Sequence, residues 1–142
     1  MKAIFPILLL ASTSAMAIND SEVIQKLDPA WRSVEEKTVA LVGSDYQKAM
    51  VDAAFASVAV SACPGLSFKA EEVNKRFSSM VGEKGGKTPQ EQQDFSVKAS
   101  VLYGTYLGLL IAESHLDTPV FCQYVEKAKT KKGGPNDFWA IK

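Results

Sequence analysis

Apolar residues recur at helical spacing along most of this 142-residue chain. The first long stripe runs from Trp31 to Val42, with apolar or threonine side chains at every third or fourth position. Residues at this spacing lie on one face of an α-helix, so the pattern predicts an amphipathic helix. Asp28 and Pro29 precede it as an N-cap and a proline at the first helical position, and Gly43 follows it as a stop.

A second helix is predicted to be capped by Ser44 or Asp45 and to end at Cys63, where Pro64 and Gly65 break the hydrogen-bond pattern. Its apolar residues cover much of the circumference rather than one stripe. Because a helix of this kind is usually buried, we expect it at the centre of the fold.

Two further helices follow. One is predicted to start at Ser67 and to end before a loop at residues 82–87. The other has a strong start signal, since Thr88 can cap it and Glu91 stands where a capping box needs a carboxylate. Its apolar spacing continues to about Ser114, which makes it the longest predicted helix.

A final helix is predicted from Asp117 to the Gly133-Gly134-Pro135 break. The tail at residues 136–142 has no period, and we expect its apolar residues to pin it to the body. The chain shows no strand-type alternation of useful length, no repeat and no domain linker. The expected fold is therefore all-α: a compact single-domain bundle of five or six helices with one disulfide.

The first seventeen residues, MKAIFPILLLASTSAMA, have the layout of a secretory signal peptide. Lys2 gives the positive start, an apolar run follows, and Ala15-Met16-Ala17 is a small-x-small cleavage site. The apolar run is too short for a transmembrane helix, which needs about 20 residues. We expect cleavage after Ala17 and an exported domain at residues 18–142, either periplasmic or secreted.

The chain has two cysteines, Cys63 and Cys122. In an oxidising compartment, a small even number of cysteines favours a disulfide. The alternatives are two separate buried thiols or an intermolecular bridge.

Acidic and basic residues are nearly balanced, with 16 of each in the whole chain. This balance gives no reason to expect nucleic acid or a lipid surface as partner, so another protein is the expected partner. The lysines near the C-terminus either complement a helix dipole or form a docking patch for an acidic partner. The residues predicted to contact a partner are Lys84, Lys87, Lys127, Lys129, Lys131, Lys132 and Trp139.

Residues 81–88, VGEKGGKT, resemble a phosphate-binding loop only in part. That motif needs a glycine five positions before Gly86, where Val81 stands, and Gly82 is one residue too close. The loop also follows a predicted helix rather than a strand. Nucleotide binding is therefore not expected.

His115 is the single histidine and lies between Glu113 and Asp117 near a helix end. It either caps the helix or forms a catalytic site with one of these carboxylates. The sequence has no C-x-x-C-H haem motif, no zinc-ligand spacing and no calcium loop, so no cofactor and no metal is expected.

Gly104 and Gly108 are four residues apart on the longest predicted helix. They either permit close packing on the second helix or mark a face for self-association. No stretch after the signal peptide was expected to span a membrane.

These observations favour a small exported binding protein without enzymatic activity, such as an inhibitor, a toxin-neutralising protein or a chaperone-like protein. The alternatives are a small periplasmic enzyme with a site around His115, or a structural component of an envelope assembly. The sequence leaves the oligomeric state open.

Overall fold

The computed structural model describes residues 27–142, which contain five α-helices and a small two-stranded sheet. In chain order the elements are α1 (Asp28–Val42), α2 (Ser44–Ala62), β1 (Leu66–Phe68), α3 (Ala70–Lys84), α4 (Pro89–Leu116), α5 (Thr118–Lys129), a 3₁₀ helix (Gly134–Asp137) and β2 (Trp139–Ile141). The predicted all-α bundle is confirmed. The predicted signal peptide at residues 1–17, and the cleavage site after Ala17, lie outside the described residues.

At three helix ends, the structure contains the cap or the glycine that the sequence predicts. Gly43 adopts a positive φ of 83° between α1 and α2, a conformation that favours glycine. At the start of α4, the backbone N–H of Glu91 donates to the Thr88 hydroxyl, and the Glu91 carboxylate accepts from the Thr88 backbone N–H. Asp117 caps α5 by accepting a hydrogen bond from the backbone N–H of Val120.

Helices α2 and α4 form the centre of the bundle and make its most extensive helix–helix contact. Four alanines of α2 are fully buried, namely Ala53, Ala54, Ala56 and Ala59. Small side chains let the two helix axes approach closely, and the larger Tyr106 and Leu110 of α4 fill the space beside them.

The disulfide between Cys63 and Cys122 is confirmed. It joins the end of α2 to α5, and the two Cα atoms are 5.6 Å apart. Beside it, Phe55 of α2 packs against Phe121 and Tyr124 of α5, at ring-centroid distances of 5.4 and 5.6 Å. The covalent bond and the aromatic cluster therefore hold the same pair of helices together.

Three predicted helix ends differ from the structure. Asp28 is the first residue of α1 rather than its cap, neither Ser44 nor Asp45 caps α2, and α5 ends at Lys129, before the predicted glycine break.

Two further local predictions were wrong. Ser67 does not cap a helix: it lies in β1, and α3 begins at Ala70. The strand exists because the C-terminal tail returns and pairs with it antiparallel, a partner 73 residues away that a local pattern does not reveal. The predicted loop at residues 82–87 is also shorter, because α3 continues to Lys84.

Helix α4 departs from the expectation that no later stretch could span a membrane. By length and composition it is long and apolar enough, and it is the one such helix in the described part of the chain. It nevertheless packs against α1, α2, α3 and α5. Only 22% of its most apolar window is buried in the bundle, so much of its apolar surface faces outward.

Candidate functional site

The predicted partner-binding lysines lie in two separate places. Lys84 and Lys87 are exposed beside the loop between α3 and α4, and Lys84 lines a shallow cleft of about 340 Å³. The backbone N–H of Lys87 donates to Glu91, so the capping box also fixes this loop. The same contacts, with Thr88 first, hold the pKa of the Glu91 carboxyl below its ordinary value.

The second lysine group follows the end of α5. Lys129 pairs with Glu126 at 2.6 Å, whereas Lys131 and Lys132 are exposed at the edge of a cleft of about 270 Å³. That cleft shares no lining residue with the one beside Lys84. The structure therefore does not bring the two lysine groups into one patch. That Lys84, Lys87, Lys127, Lys129, Lys131 and Lys132 contact a partner stays a prediction.

Asp52 lies in the same cleft as Lys131 and accepts a hydrogen bond of 2.7 Å from Lys48. Its side chain is 18% exposed. Burial raises the pKa of Asp52 above its ordinary value, although the contact with Lys48 opposes the shift.

Trp139 is not part of the exposed surface, contrary to its predicted role as a partner contact. It is 2% exposed, and its ring centroid lies 5.8 Å from that of Phe55. Its indole N–H donates to the side chain of Asn136. Because β2 pairs with β1, the aromatic residue packs into the core, which agrees with the expectation that the tail is pinned to the body.

Two residues of the alternative catalytic site, Glu113 and His115, lie on different sides of α4. Glu113 is buried at 3% exposure and accepts a hydrogen bond from the backbone N–H of Leu27, at the start of α1. His115 is exposed, two positions further along α4 and therefore about 160° away from Glu113 around the helix axis. Asp117 caps α5. Glu113 and His115 therefore do not form an acid–base pair, and an enzyme site that uses other partners of His115 stays an alternative prediction.

A groove between α2 and α4 has a volume of about 570 Å³ and is lined by Ser57, Val58, Ser61, Leu107, Ile111 and His115, among others. We call it the α2–α4 groove. The Ser61 hydroxyl donates to the Ser57 carbonyl, and the Ser114 hydroxyl at its edge donates to the Ile111 carbonyl. These hydroxyls are thus occupied by their own helices, and the character of the groove is mainly apolar.

The most unusual surface runs along the outer side of α4. We call it the α4 stripe and define it by six exposed residues: Val97, Val101, Gly104, Gly108, Ile111 and His115. Three of them are large apolar side chains, Val97 at 58%, Val101 at 64% and Ile111 at 47% exposure. A Cβ atom built on either glycine would meet no atom within 4 Å, so the middle of the stripe opens to solvent.

Sequence reasoning missed the valines and the isoleucine of this stripe, although a signal was present. The apolar spacing of α4 predicts a core face of Phe95, Ala99, Leu102, Tyr106 and Leu109. Phe95, Ala99 and Tyr106 are buried, and the two leucines are half-buried. The stripe repeats at helical spacing on the opposite side of the same helix. Two apolar faces on one helix indicate one face for the core and a second for another contact.

Among the described residues, no group of three or more His, Cys, Asp or Glu side chains has an arrangement that could hold a metal ion. In comparisons with known proteins, no family model, no curated protein and no solved structure matches this chain. The α4 stripe and the adjoining α2–α4 groove are therefore the candidate functional site on the grounds of their geometry and chemistry alone.

Proposed function

We propose that this chain is a small exported protein that binds another protein and has no enzymatic activity of its own. The observation that carries the proposal is the α4 stripe, with Val97, Val101 and Ile111 exposed along one line. Apolar side chains that are scattered singly over a surface need no explanation, whereas apolar side chains aligned on one face favour a contact with another molecule.

Export is the second part of the proposal. The signal-peptide pattern at residues 1–17 supports it, with cleavage after Ala17. The disulfide between Cys63 and Cys122 also supports it, because such bonds form and persist in oxidising compartments such as the bacterial periplasm.

The chemistry of the stripe favours a protein as the bound molecule. From Val97 to His115 it offers methyl groups, two glycines and one imidazole, with the serine-bearing α2–α4 groove beside it. Interfaces between proteins have an apolar centre depleted in charge and a polar rim, which this surface reproduces. Such an exposed binding surface is needed by an inhibitor, by a toxin-neutralising protein and by a chaperone-like protein.

Site-specific photo-crosslinking in the producing cell tests this proposal. A photoreactive benzophenone residue is placed at position 101 and, as the matched control, at position 39 of α1. Both positions hold exposed valines on helices, at 64% and 42% exposure. The proposal predicts a covalent protein adduct from position 101 and none from position 39. Absence of a protein adduct at position 101 would contradict it.

A further inference from the structure

We propose that the α4 stripe binds a second copy of this chain, with the two α4 helices antiparallel and related by a two-fold axis between Gly104 and Gly108. This inference rests on the proposed function, because it names the partner for the same surface. It is carried by the match between the stripe and its own reversed copy, by the groove beside it and by the polar groups at its two ends.

The spacing of the stripe is the same when read in either direction. Its six residues follow one another at steps of four, three, four, three and four positions. When a second copy runs antiparallel, Gly104 faces Gly108 of the second copy and Val101 faces Ile111 of the second copy. Every residue of the stripe then has a stripe residue opposite it, as a two-fold interface requires.

The shape of the surface also fits this arrangement. The two glycines lie at the centre and leave open space, so two helix axes can approach closely there. Val97 and Val101 project on one side of the centre, and the α2–α4 groove with Ile111 and His115 lies on the other. In the antiparallel pair, the projecting valines of each copy lie against the groove of the other.

The polar groups at the two ends of the stripe are complementary as well, because a carboxylate accepts hydrogen bonds and an imidazole N–H donates one. Asp94 is exposed about one turn before Val97, and His115 closes the other end. The antiparallel pair brings Asp94 of one copy towards His115 of the other, and it also opposes the two helix dipoles. A lipid surface would be a poorer occupant, because helices that lie on membranes carry a rim of Lys or Arg and bulky apolar anchors rather than two central glycines.

The size of the surface predicts a weak dimer. From Val97 to His115 the stripe extends over 18 residue steps, which at 1.5 Å per residue is about 27 Å. With the neighbouring groove it is about two helix diameters wide, so each copy buries roughly 500 Å². Because stable interfaces bury about 800 Å² per partner, we expect a dissociation constant in the micromolar range.

Mixed cysteine cross-linking of the full chain tests both the partner and the register. Val101→Cys and Ile111→Cys are prepared separately, mixed and mildly oxidised, and the products are separated without reductant. In the antiparallel pair, position 101 faces position 111, whereas the two copies of position 101 are about 15 Å apart along the axis. A disulfide needs Cα atoms within about 7 Å. The mixture is expected to form a linked dimer, and neither variant alone is.

The matched control replaces Ile111→Cys with Val39→Cys, which lies on α1, and this mixture is expected to stay unlinked. A linked dimer from Val101→Cys alone would overturn the antiparallel register. No linked dimer in any mixture would overturn the second copy as partner. In that case, photo-crosslinking from position 101 to a different protein would still support the proposed function. Binding of the wild-type chain to phosphatidylglycerol vesicles would instead identify a lipid as the molecule that covers the stripe.

Discussion

At the scale of single residues, Glu113 has a structural role where the sequence suggested a catalytic one. It stands two positions from the only histidine, which suggested an acid–base pair. Its carboxylate is instead buried and accepts the backbone N–H of Leu27 at the start of α1, at 2.9 Å. An acceptor at this position satisfies one of the donors that a helix leaves unpaired at its N-terminus.

Replacement of Glu113 therefore tests a structural role. Glu113→Ala is expected to lower the free energy of unfolding by about 1–3 kcal/mol, because the part-buried backbone N–H of Leu27 loses its acceptor. Glu113→Gln keeps an oxygen at the same place and is expected to cost less. Urea unfolding followed by circular dichroism measures both. An equal loss in the two variants would show that the hydrogen bond to Leu27 is not the reason for the burial of Glu113.

The side chain of Asp52 predicts how the stability of the fold depends on pH. Burial raises the pKa of Asp52 above the 3.8 of an exposed aspartate, so the folded state binds its proton more readily than the unfolded state does. Linkage then requires that its contribution to stability is present in full below pH 3.8 and is lost as the pH rises through the folded pKa.

The comparison of wild type with Asp52→Asn isolates this contribution. The stability of wild type relative to the variant is expected to be greater at pH 3 than at pH 7, as measured by urea unfolding at each pH. Asparagine keeps a similar shape beside Lys48 and does not titrate, so it is a suitable reference. A relative stability that rises with pH would contradict the assigned direction.

At the scale of elements, the helix limits were largely predictable because their causes are local. Gly43, the Thr88–Glu91 capping box and Asp117 act within a few residues, and the structure uses all of them. The pairing of β1 with β2 was not predictable in the same way, because its cause is the return of a distant segment. The same pairing buries Trp139, which the sequence predicted both as part of a tail pinned to the body and as a partner contact.

The candidate site was partly predictable. The spacing of Gly104 and Gly108 is local, and it predicts a self-association face as one of two alternatives. The exposure of Val97, Val101 and Ile111 depends on which side of α4 packs against α2. Tertiary packing decides this, so local sequence patterns do not reveal it. The sequence offered the second apolar face of α4, but only the packing shows that the bundle leaves it uncovered.

The link between α2 and α5 predicts a large effect of reduction. The disulfide joins residues 59 positions apart. Loop-closure entropy assigns such a bond about 4 kcal/mol. Reduction is therefore expected to lower the midpoint of urea unfolding strongly in the wild type. The double variant Cys63→Ser with Cys122→Ser should be equally unstable and should not respond to reductant. A wild type that is indifferent to reductant would contradict this account.

At the scale of the whole molecule, the disulfide-linked part of the bundle is distinct from the exposed α4 stripe. The disulfide and the aromatic cluster around Phe55 hold α2, α5 and β2 together. The outer side of α4 takes no part in that cluster. The proposed contact uses an apolar stripe on a helix of the folded bundle, and a surface that is already ordered lowers the cost of binding.

The measurement that tests the central claim most directly is the molar mass of the purified protein as a function of concentration, by sedimentation velocity. The account predicts a reversible monomer–dimer equilibrium for the wild type and for Val39→Glu, whose substitution lies on α1. Val101→Glu places a charge on the stripe of each copy and is expected to raise the dissociation constant by at least about tenfold. A wild type that stays monomeric at every concentration, or a Val101→Glu variant that dimerises as well as the wild type, would contradict it.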